Sequence, residues 1–382
     1  RTQARRSRPC FRASAQLRMR MQAASVLGMT ATNPSPPLVV GLNGAWQRRI
    51  GLQSLTVGSV NRATESSSGP GGKGQGAWLA SEALQAGVSL AQFVGAGDEG
   101  SSLAAALRSG RAGVDESLWV PARSRTRVCS SLVTPSGEAT EIVEPSGCIE
   151  VDEVEELYRR VSAAYGDSAA PGLLFMGSLP PGVPADAYAA IAARAAAPRT
   201  RVVIDSVVGL APLLAALADR GCVDVVVKVN ARELSSLLGE PLEAGSDSAG
   251  AADAAGLAAL VERKMHTIGK AAFVCWTDGP FGAGAYDAAA CTRWAFSMPP
   301  LPRPVVSPIG AGDAVAGATL SAWLKDDADG GQPAPLRAFR FGLACGAASC
   351  LTPDNAAFDV ATATALYEGI SLEAFPLWPA SS

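Results

Sequence analysis

From about residue 152 onward, short apolar runs alternate with helical segments, and this alternation limits the possible folds more than any other feature. Runs with the length of buried strands lie at 173–176, 202–205, 223–229 and 272–276. Helices are predicted at 77–86, 152–165, 185–197, 210–219, 231–238, 253–268, 311–324 and 336–350. Repeated strand–helix units place their strands side by side in parallel. We therefore predict an α/β fold with a central, mostly parallel sheet and helices on both of its faces.

The amino-terminal part of the chain adds strands to this sheet and predicts a second, smaller sheet. Apolar runs at 37–42 and 90–94 have the form of buried strands. Weak alternation over 50–66 indicates further strands, as does a hairpin pattern over 126–143 with a Pro-Ser-Gly turn. Together these two segments predict a small sheet lying over the main one.

The residue counts exclude several kinds of chemistry. The chain has one histidine, His266, and eight cysteines without a C-x-x-C pair, which argues against zinc sites and against Ser-His or Cys-His nucleophiles. The net charge is −3 and no basic stripe is interleaved with aromatic residues, so direct binding of nucleic acid is not expected. Because no apolar run approaches the roughly 20 residues of a membrane-spanning helix, no membrane association is expected either.

The first 36 residues differ in kind from the rest. They contain seven arginines and no acidic residue, and the first acidic residue of the chain is Glu65. This composition is typical of an organellar transit peptide, which predicts a plastid or another organelle as the location. The alternatives are a disordered basic tail on the protein and a cytoplasmic location.

The stretch 307–317 predicts a glycine-rich turn that leads into a buried helix. The first backbone N–H groups of such a helix, those of Ala311, Gly312 and Asp313, would be free to hold an anion. A carboxylate at the same place would repel an anion unless it takes part in proton chemistry. Phosphoryl transfer to a hydroxyl needs both features, namely donors for the transferred group and a base for the hydroxyl. The alternative is an ordinary helix start with Asp313 as its cap.

Polar loops follow several predicted strands and are expected to meet at one edge of the sheet. They lie at 177–182, 205–206, 228–233 and 277–282, and with 307–313 they would form a site for a nucleotide and a second substrate. Residues 95–100 match G-x-G-x-x-G, which leaves open a dinucleotide site or a tight strand-to-helix turn.

Taken together, these motifs resemble the PfkB (ribokinase-like) carbohydrate kinases, in the branch of 1-phosphofructokinase and tagatose-6-phosphate kinase. The similarity is carried by the G-A-G-D motif within 307–317 and by segments 60–62, 70–74, 126–127, 144–147, 177–184, 228–233 and 341–353. It covers about residues 38–369. The resemblance implies a ribokinase-like kinase domain over 37–382, with a small β-sheet lid from about 44–66 and 111–147.

The resemblance also implies roles for individual residues in phosphoryl transfer, with ATP and Mg²⁺ as cofactors. Asp313 would be the general base, and the amides of Gly310, Ala311 and Gly312 would bind the transferred phosphoryl group. Lys228, Asn230 and Glu233 would face the ATP phosphates and Mg²⁺. Asn230 and Glu233 would reach the metal through water. The nucleotide would be lined by Thr277, Gly279 and Gly282.

In the substrate half, the resemblance implies a site for a phosphosugar. The substrate's phosphate would be held by Arg62 and Arg127, and the lid would hinge at Gly71 and Gly72. The side chains expected beside the sugar are Lys73 and Gln47. The resemblance is compatible with a homodimer.

Two polar groups of this family pattern are missing from the substrate half. Gln47 stands where the branch has an aspartate for the sugar hydroxyls, with Trp46 beside it, and Gly76 replaces a substrate-binding asparagine. Near Gly76, Trp78 replaces a small residue. One hypothesis is therefore an active kinase acting on fructose 1-phosphate, tagatose 6-phosphate or a related sugar. The other is a kinase-fold scaffold subunit, similar to plastid fructokinase-like proteins.

Overall fold

The computed structural model describes residues 35–137, 139–239, 261, 273–326 and 331–377. His266, the leader before residue 35 and all but Val261 of the helix predicted at 253–268 lie outside the described residues. Among the residues described, no helix is both long enough and apolar enough to cross a membrane.

The described residues form strands and helices in alternation. The strands are β1 (Leu38–Val40), β2 (Ala45–Leu52), β3 (Ala63–Gly71), β4 (Ser89–Ala96), β5 (Trp119–Arg125), β6 (Arg127–Val133), β7 (Ala139–Val143), β8 (Gly172–Met176), β9 (Arg201–Asp205), β10 (Val225–Asn230), β11 (Phe273–Thr277), β12 (Ala283–Asp287), β13 (Thr292–Ser297) and β14 (Ser371–Pro376). The helices are α1 (Lys73–Ala83), α2 (Gly97–Arg108), α3 (Val151–Tyr165), α4 (Ala187–Ala195), α5 (Leu210–Asp219), α6 (Ala231–Leu237), α7 (Ala311–Leu324), α8 (Ala334–Ser349) and α9 (Val360–Gly369).

The main sheet has ten strands in the order β14-β13-β12-β11-β10-β9-β8-β1-β4-β5. Neighbouring strands from β5 to β11 are parallel, whereas β12, β13 and β14 continue the sheet as an antiparallel edge. The carboxyl ends of the parallel strands therefore lie along one edge of the sheet, where open α/β sheets bind their ligands.

Alternating side chains of the central strands supply two hydrophobic cores, one on each face of the sheet. In β8, Leu173 and Phe175 join the core formed with α3, α4, α5 and α6. Leu174 and Met176 join the other core, which contains residues of α1, α2, α7, α8 and α9. The predicted α/β class, with helices on both faces of a mostly parallel sheet, is confirmed.

A separate sheet of four strands has the order β3-β2-β6-β7. Strands β6 and β7 form the hairpin predicted over 126–143, and β2 joins β6 in parallel. The alternation over 50–66 is interrupted, because the Asn61 side chain closes a turn. Its Oδ1 accepts the Thr56 N–H at 2.9 Å and its Nδ2 donates to the Thr56 carbonyl at 2.9 Å. We use the name small sheet for β3, β2, β6 and β7.

Candidate active site

Helix α7 begins at the glycine-rich turn predicted to bind the transferred group. Gly310 has a φ of 80°, and a Cβ there would lie 1.8 Å from Asn355 Oδ1, so the turn requires glycine for its conformation and its packing. Asp313 lies in the first turn of α7 and is buried. The Ala311 N–H donates to the Pro308 carbonyl at 3.3 Å, so one of the three amides predicted to be free already has a partner.

Beneath this turn, a buried aspartate joins two lysines. Asp205, the last residue of β9, accepts hydrogen bonds from Lys73 Nζ at 3.0 Å and from Lys228 Nζ at 2.6 Å. Lys228 also donates to the Gly312 carbonyl at 3.2 Å, and Lys73 donates to Glu233 Oε1 at 3.0 Å. The network therefore connects α1, β9, β10, α6 and α7, and it brings the K-x-N-x-x-E motif to the start of α7.

These charges act on the predicted base. Burial raises the pKa of Asp313 to about 8, and the charge of Asp205 acts in the same direction. Lys73 and Lys228 oppose this rise. Burial alone would also raise the pKa of Asp205, but the two ammonium groups hold it below its ordinary value. The site thus contains one carboxylate kept ionised and another whose proton affinity suits proton transfer near neutral pH.

A lysine that binds nucleotide phosphates directly is expected to face open solvent in the free protein. Lys228 does not. It is 3% exposed and its ammonium contacts Asp205 and the carbonyl of Gly312. Lys73 is more exposed. Burial alone would lower the pKa of Lys73, but nearby carboxylates, led by Asp205 and Glu233, raise it above its ordinary value. Lys73 is therefore a stable positive charge at the site.

The predicted nucleotide residues lie at the ends of two neighbouring strands. Asn230 ends β10 and pairs with Thr277, which ends β11. Gly279, with a φ of 54°, begins a short 3₁₀ turn, and Gly282 follows it with a φ of 116°. The Asp278 N–H donates to the Gly282 carbonyl at 2.9 Å and closes this loop. The structure thus brings together Asn230, Thr277 and the two glycines.

The N-x-x-E motif has a structural role at the start of α6. Asn230 Oδ1 accepts the Glu233 N–H at 2.7 Å, and Glu233 Oε2 accepts the Asn230 N–H at 3.0 Å, which forms a capping box. Within the described residues, no cluster of three histidine, cysteine or acidic side chains could hold a metal directly. Each Glu233 oxygen already accepts one hydrogen bond and keeps a further lone pair, which fits a metal bound through water.

A cavity of about 310 Å³ adjoins the lysine network. Its polar lining includes Asn43, Lys73, Arg127, Ser178, Ser206 and Glu233. Arg127 Nη2 donates to the Asn43 carbonyl at 3.2 Å, and its buried Nε has no partner among the described residues. Asn43 in turn donates to Ser178 Oγ at 3.0 Å and accepts from Ser146 Oγ at 2.9 Å. The lining of the cavity therefore includes two cationic side chains and several hydroxyl and amide groups.

Arg62 is not brought to this cavity. Arg127 pairs with Ala45 at one end of β2, whereas Arg62 precedes Ala63, which pairs with Leu52 at the other end. From residue 45 to residue 52 the strand extends about 23 Å, at ~3.3 Å per residue. Within one chain the two arginines are thus too far apart to hold the same phosphate as predicted.

Gln47 and its neighbours belong to the small sheet. Gln47 Nε2 donates to Ser131 Oγ at 2.6 Å, and Ser131 Oγ donates to Glu141 Oε1 at 3.1 Å. Trp46 points to the opposite side of β2 and packs against a hydrophobic core. Trp78 is buried and donates from its indole N–H to the Val88 carbonyl at 2.8 Å. The two tryptophans that depart from the family pattern are therefore structural.

The glycines of segment 70–76 allow close packing around the base. Gly71 ends β3, and Gly72 precedes α1 with a φ of 94°. A Cβ at Gly76 would lie 2.6 Å from Asp313 Oδ2, so the absence of a side chain there lets α1 lie against Asp313. Helix α1 begins at Lys73, earlier than the predicted residue 77, because β3 ends at Gly71 and the positive φ of Gly72 turns the chain directly into the helix.

The G-x-G-x-x-G match at 95–100 is explained by backbone packing. A Cβ at Gly100 would lie 1.7 Å from the Gly95 carbonyl oxygen, and one at Gly95 would lie 2.3 Å from the Thr126 nitrogen. The glycines are needed where β4 turns into α2 beside the link between β5 and β6. This arrangement agrees with the tight strand-to-helix turn.

Segments 177–182 and 205–206 were predicted to lie at the site, but no role was predicted for Ser178 or Asp205 within them, and Asn43 and Glu141 were not predicted as site residues. Asp205 ends a strand of the main sheet, and Asn43 and Ser178 each follow such a strand, which is the signal that these three positions share. Glu141 had no such signal, since its place depends on how the small sheet pairs.

Comparisons with known proteins agree with this architecture. The sequence model described as pfkB family carbohydrate kinase matches residues 47–360. The 1-phosphofructokinase of Rhodobacter capsulatus is 30% identical over 303 residues, covering 75% of this chain and 84% of that protein. The ATP-dependent 6-phosphofructokinase isozyme 2 of Escherichia coli (strain K12) is 31% identical over 219 residues, covering 57% of this chain and 62% of that protein.

Solved structures show the same fold. The tetrameric inhibited form of phosphofructokinase-2 from Escherichia coli has a TM-score of 0.67 at 24% identity, over 88% of this chain and 99% of that chain. Arabidopsis thaliana ribokinase complexed with ribose and ATP has a TM-score of 0.61 at 19% identity, over 87% of this chain and 99% of that chain. By the match over residues 47–360, the chain belongs to the pfkB family of carbohydrate kinases, phosphotransferases whose acceptor is a sugar hydroxyl.

Proposed function

We propose that this protein is an ATP-dependent phosphosugar kinase that transfers the γ-phosphoryl group to a hydroxyl of a hexose phosphate. The substrate is of the fructose 1-phosphate or tagatose 6-phosphate type. The observation that carries the proposal is Asp313, a buried carboxyl with a pKa raised to about 8, at the start of α7. The adjoining cavity with Lys73 and Arg127 supports a substrate that carries a phosphate of its own.

In this proposal each group acts at a defined atom. Asp313 accepts the proton of the sugar hydroxyl as that oxygen attacks the phosphorus. The amides of Gly310, Ala311 and Gly312 bind the transferred phosphoryl group at the positive end of α7, although the Ala311 N–H must first leave the Pro308 carbonyl. Lys228, which donates to the Gly312 carbonyl at 3.2 Å, holds the same turn in place from beneath.

The nucleotide half of the proposal rests on the loops at the ends of β10 and β11. Thr277, Gly279 and Gly282 would line the nucleotide, and Asn230 with Glu233 would hold Mg²⁺ through water. The metal would neutralise charge on the nucleotide phosphates. We further propose that residues 37–382 form one kinase domain whose small sheet acts as the lid, with Gly71 and Gly72 as its hinge.

The test is release of ADP by the full chain with ATP and Mg²⁺. We expect release on addition of fructose 1-phosphate or tagatose 6-phosphate, and loss of at least about 100-fold in kcat in Asp313→Asn, since the base is removed without a change of shape. Asp359→Asn is the matched control. Asp359 caps α9 from an exposed position, and asparagine caps equally well, so this variant should keep the activity.

A panel of phosphosugars that gives no ADP above the Asp313→Asn background would contradict the proposal. It would instead favour the scaffold hypothesis, in which the kinase fold binds a partner without catalysis.

A further inference from the structure

The family's usual sugar-binding aspartate is replaced by Gln47, and the small sheet offers another carboxylate on the same face. In β2, Gln47 and Arg49 point to one side, since they are two residues apart. Arg49 pairs with Ser131 of β6, and Ser131 pairs with Glu141 of β7. Side chains at paired positions share a face, so Gln47, Ser131 and Glu141 lie on one surface of the small sheet.

This surface faces the proposed transfer centre. Arg127 pairs with Ala45 on the same side of the small sheet and lines the substrate cavity, as does Val143 of β7. Glu141 lies two residues before Val143 on the same face of β7, which places its carboxylate beside this cavity. Its charge also acts on Asp313, in the direction that raises the pKa of that carboxyl.

The three side chains form a directed chain of hydrogen bonds. The Gln47 amide donates to Ser131 at 2.6 Å, and the Ser131 hydroxyl donates to Glu141 Oε1 at 3.1 Å. An aspartate at position 47 could not donate to Ser131 in this way. Glutamine thus does more than remove a charge, because it orients the serine hydroxyl toward the glutamate.

The Glu141 carboxylate remains available for a ligand. Its residue is exposed, and among the described residues it forms no ion pair with a lysine or arginine. Glu65, another acid on the same face of the small sheet, differs in this respect, since Arg49 Nη1 binds its Oε1 at 2.6 Å. A carboxylate with a free oxygen can accept two hydroxyl hydrogens, as an aspartate at position 47 would have done.

We propose that Glu141 is the residue that accepts hydrogen bonds from the sugar hydroxyls, with Gln47 and Ser131 as its positioning residues. The inference deepens the proposed function and rests on it, since it assigns the sugar-recognising group of the same site. The sugar-binding carboxylate thus lies on β7 of the small sheet, whereas the family pattern has it on β2. Its position on β7 determines the specificity for the hexose phosphate.

The test is the Glu141→Gln variant of the full chain, which keeps size and removes the charge. We expect the KM for the phosphosugar to rise about tenfold to a hundredfold, while the KM for ATP and kcat stay within about twofold. Gln47→Asp in the Glu141→Gln background should restore much of the loss, because it returns a carboxylate to the same surface. Ser131→Ala should raise the phosphosugar KM less than Glu141→Gln does.

Two further measurements separate recognition from a structural effect. Glu65→Gln changes an acid on the same face and should leave the phosphosugar KM unchanged. In Glu141→Gln the pH profile of kcat/KM should shift toward lower pH, since the negative charge that helps to raise the pKa of Asp313 is lost.

A phosphosugar KM in Glu141→Gln equal to that of the unchanged protein would overturn the inference and leave the proposed function standing. An equal rise in Glu65→Gln would overturn it as well. Absence of both ADP release and phosphosugar binding in the unchanged protein, measured by calorimetry, would contradict the proposed function and with it the inference.

Discussion

Asp313 shows how burial and neighbouring charge set the chemistry of a single residue. Its carboxyl lies near a second buried carboxyl, Asp205, which two lysines keep ionised. Two neighbouring negative charges in a buried site are unfavourable, so the proton is retained by the carboxyl that has no direct ammonium partner among the described residues. That group is Asp313, with a pKa raised to about 8.

This pKa predicts how activity depends on pH. A general base must be deprotonated to accept the hydroxyl proton, so kcat/KM should rise about tenfold per pH unit below 8 and level off above it. The check is kcat/KM for the phosphosugar at saturating ATP from about pH 6 to pH 9.5. Asp359→Asn should give the same profile, whereas a rate that does not change over this range would contradict the role of Asp313.

At the scale of elements, the buried parts of the fold could be predicted from the sequence. Strands β8, β9 and β10 are continuous apolar runs, because both of their faces meet a hydrophobic core. Helices α5 and α7 were predicted over the same residues that they occupy, 210–219 and 311–324. In these elements the local hydrophobic pattern and the tertiary packing favour the same secondary structure.

The edge elements could not be predicted in the same way. Strands β12, β13 and β14 are short antiparallel additions with polar, small and aromatic residues, and they exist because β11 leaves an edge to pair with. Strand β5 is half polar and was predicted within the lid segment 111–147, whereas it pairs with β4 at the edge of the main sheet. Helix α9 was absent from the prediction. Their formation depends on pairing and packing partners distant in sequence, which a local pattern does not contain.

In the candidate site too, features that are local in sequence could be predicted and long-range contacts could not. The glycine turn and the N-x-x-E motif are local in sequence, so their residues could be assigned. The partners of Lys73 and the contacts of Gln47 are long-range, with a sequence separation of 132 from Lys73 to Asp205 and of 84 from Gln47 to Ser131. The placement of Arg62 failed for a related reason, since the register of β2 and β3 decides it.

The contact between helices α1 and α7 provides a prediction at this scale. A Cβ on Gly317 of α7 would lie 2.2 Å from the Ala77 carbonyl oxygen of α1. Gly317→Ala should therefore push the helices apart and lower the free energy of unfolding by about 1–3 kcal/mol, despite alanine's higher helix propensity. It should also lower kcat, because Gly76 of α1 lies against Asp313.

The matched control for this prediction is Gly331→Ala. A Cβ there would meet no atom within 4 Å among those the structure describes, so the melting temperature should stay the same or rise slightly. Thermal unfolding of both variants, followed by circular dichroism, is the measurement. Equal melting temperatures for Gly317→Ala and the unchanged protein would show that the two helices can separate without loss of stability.

At the scale of the whole molecule, the small sheet meets the main one near the carboxyl end of β1. Asn43 links the segments on both sides of the cleft, through Ser146 after β7 and Ser178 after β8. Gly72, between β3 and α1, has a φ of 94°. These hydrogen bonds are polar, and Trp46 of β2 adds an apolar contact with one core of the main sheet, whereas each of those cores is extensive. We therefore expect the small sheet to be the part most able to move as a unit.

We expect the small sheet to close when both substrates bind. Hydrogen–deuterium exchange with a non-hydrolysable ATP analogue and the phosphosugar together should slow exchange in β2, β6 and β7 more than either ligand alone, because closure excludes water from the cleft. Gly72→Ala should weaken this effect. A Cβ there would lie 2.5 Å from Gln75 Oε1 and 3.0 Å from Gly44 Cα, at a φ that alanine rarely adopts. Protection equal to the sum of the separate ligands would mean that each ligand orders its own loops, and that the small sheet does not act as a lid.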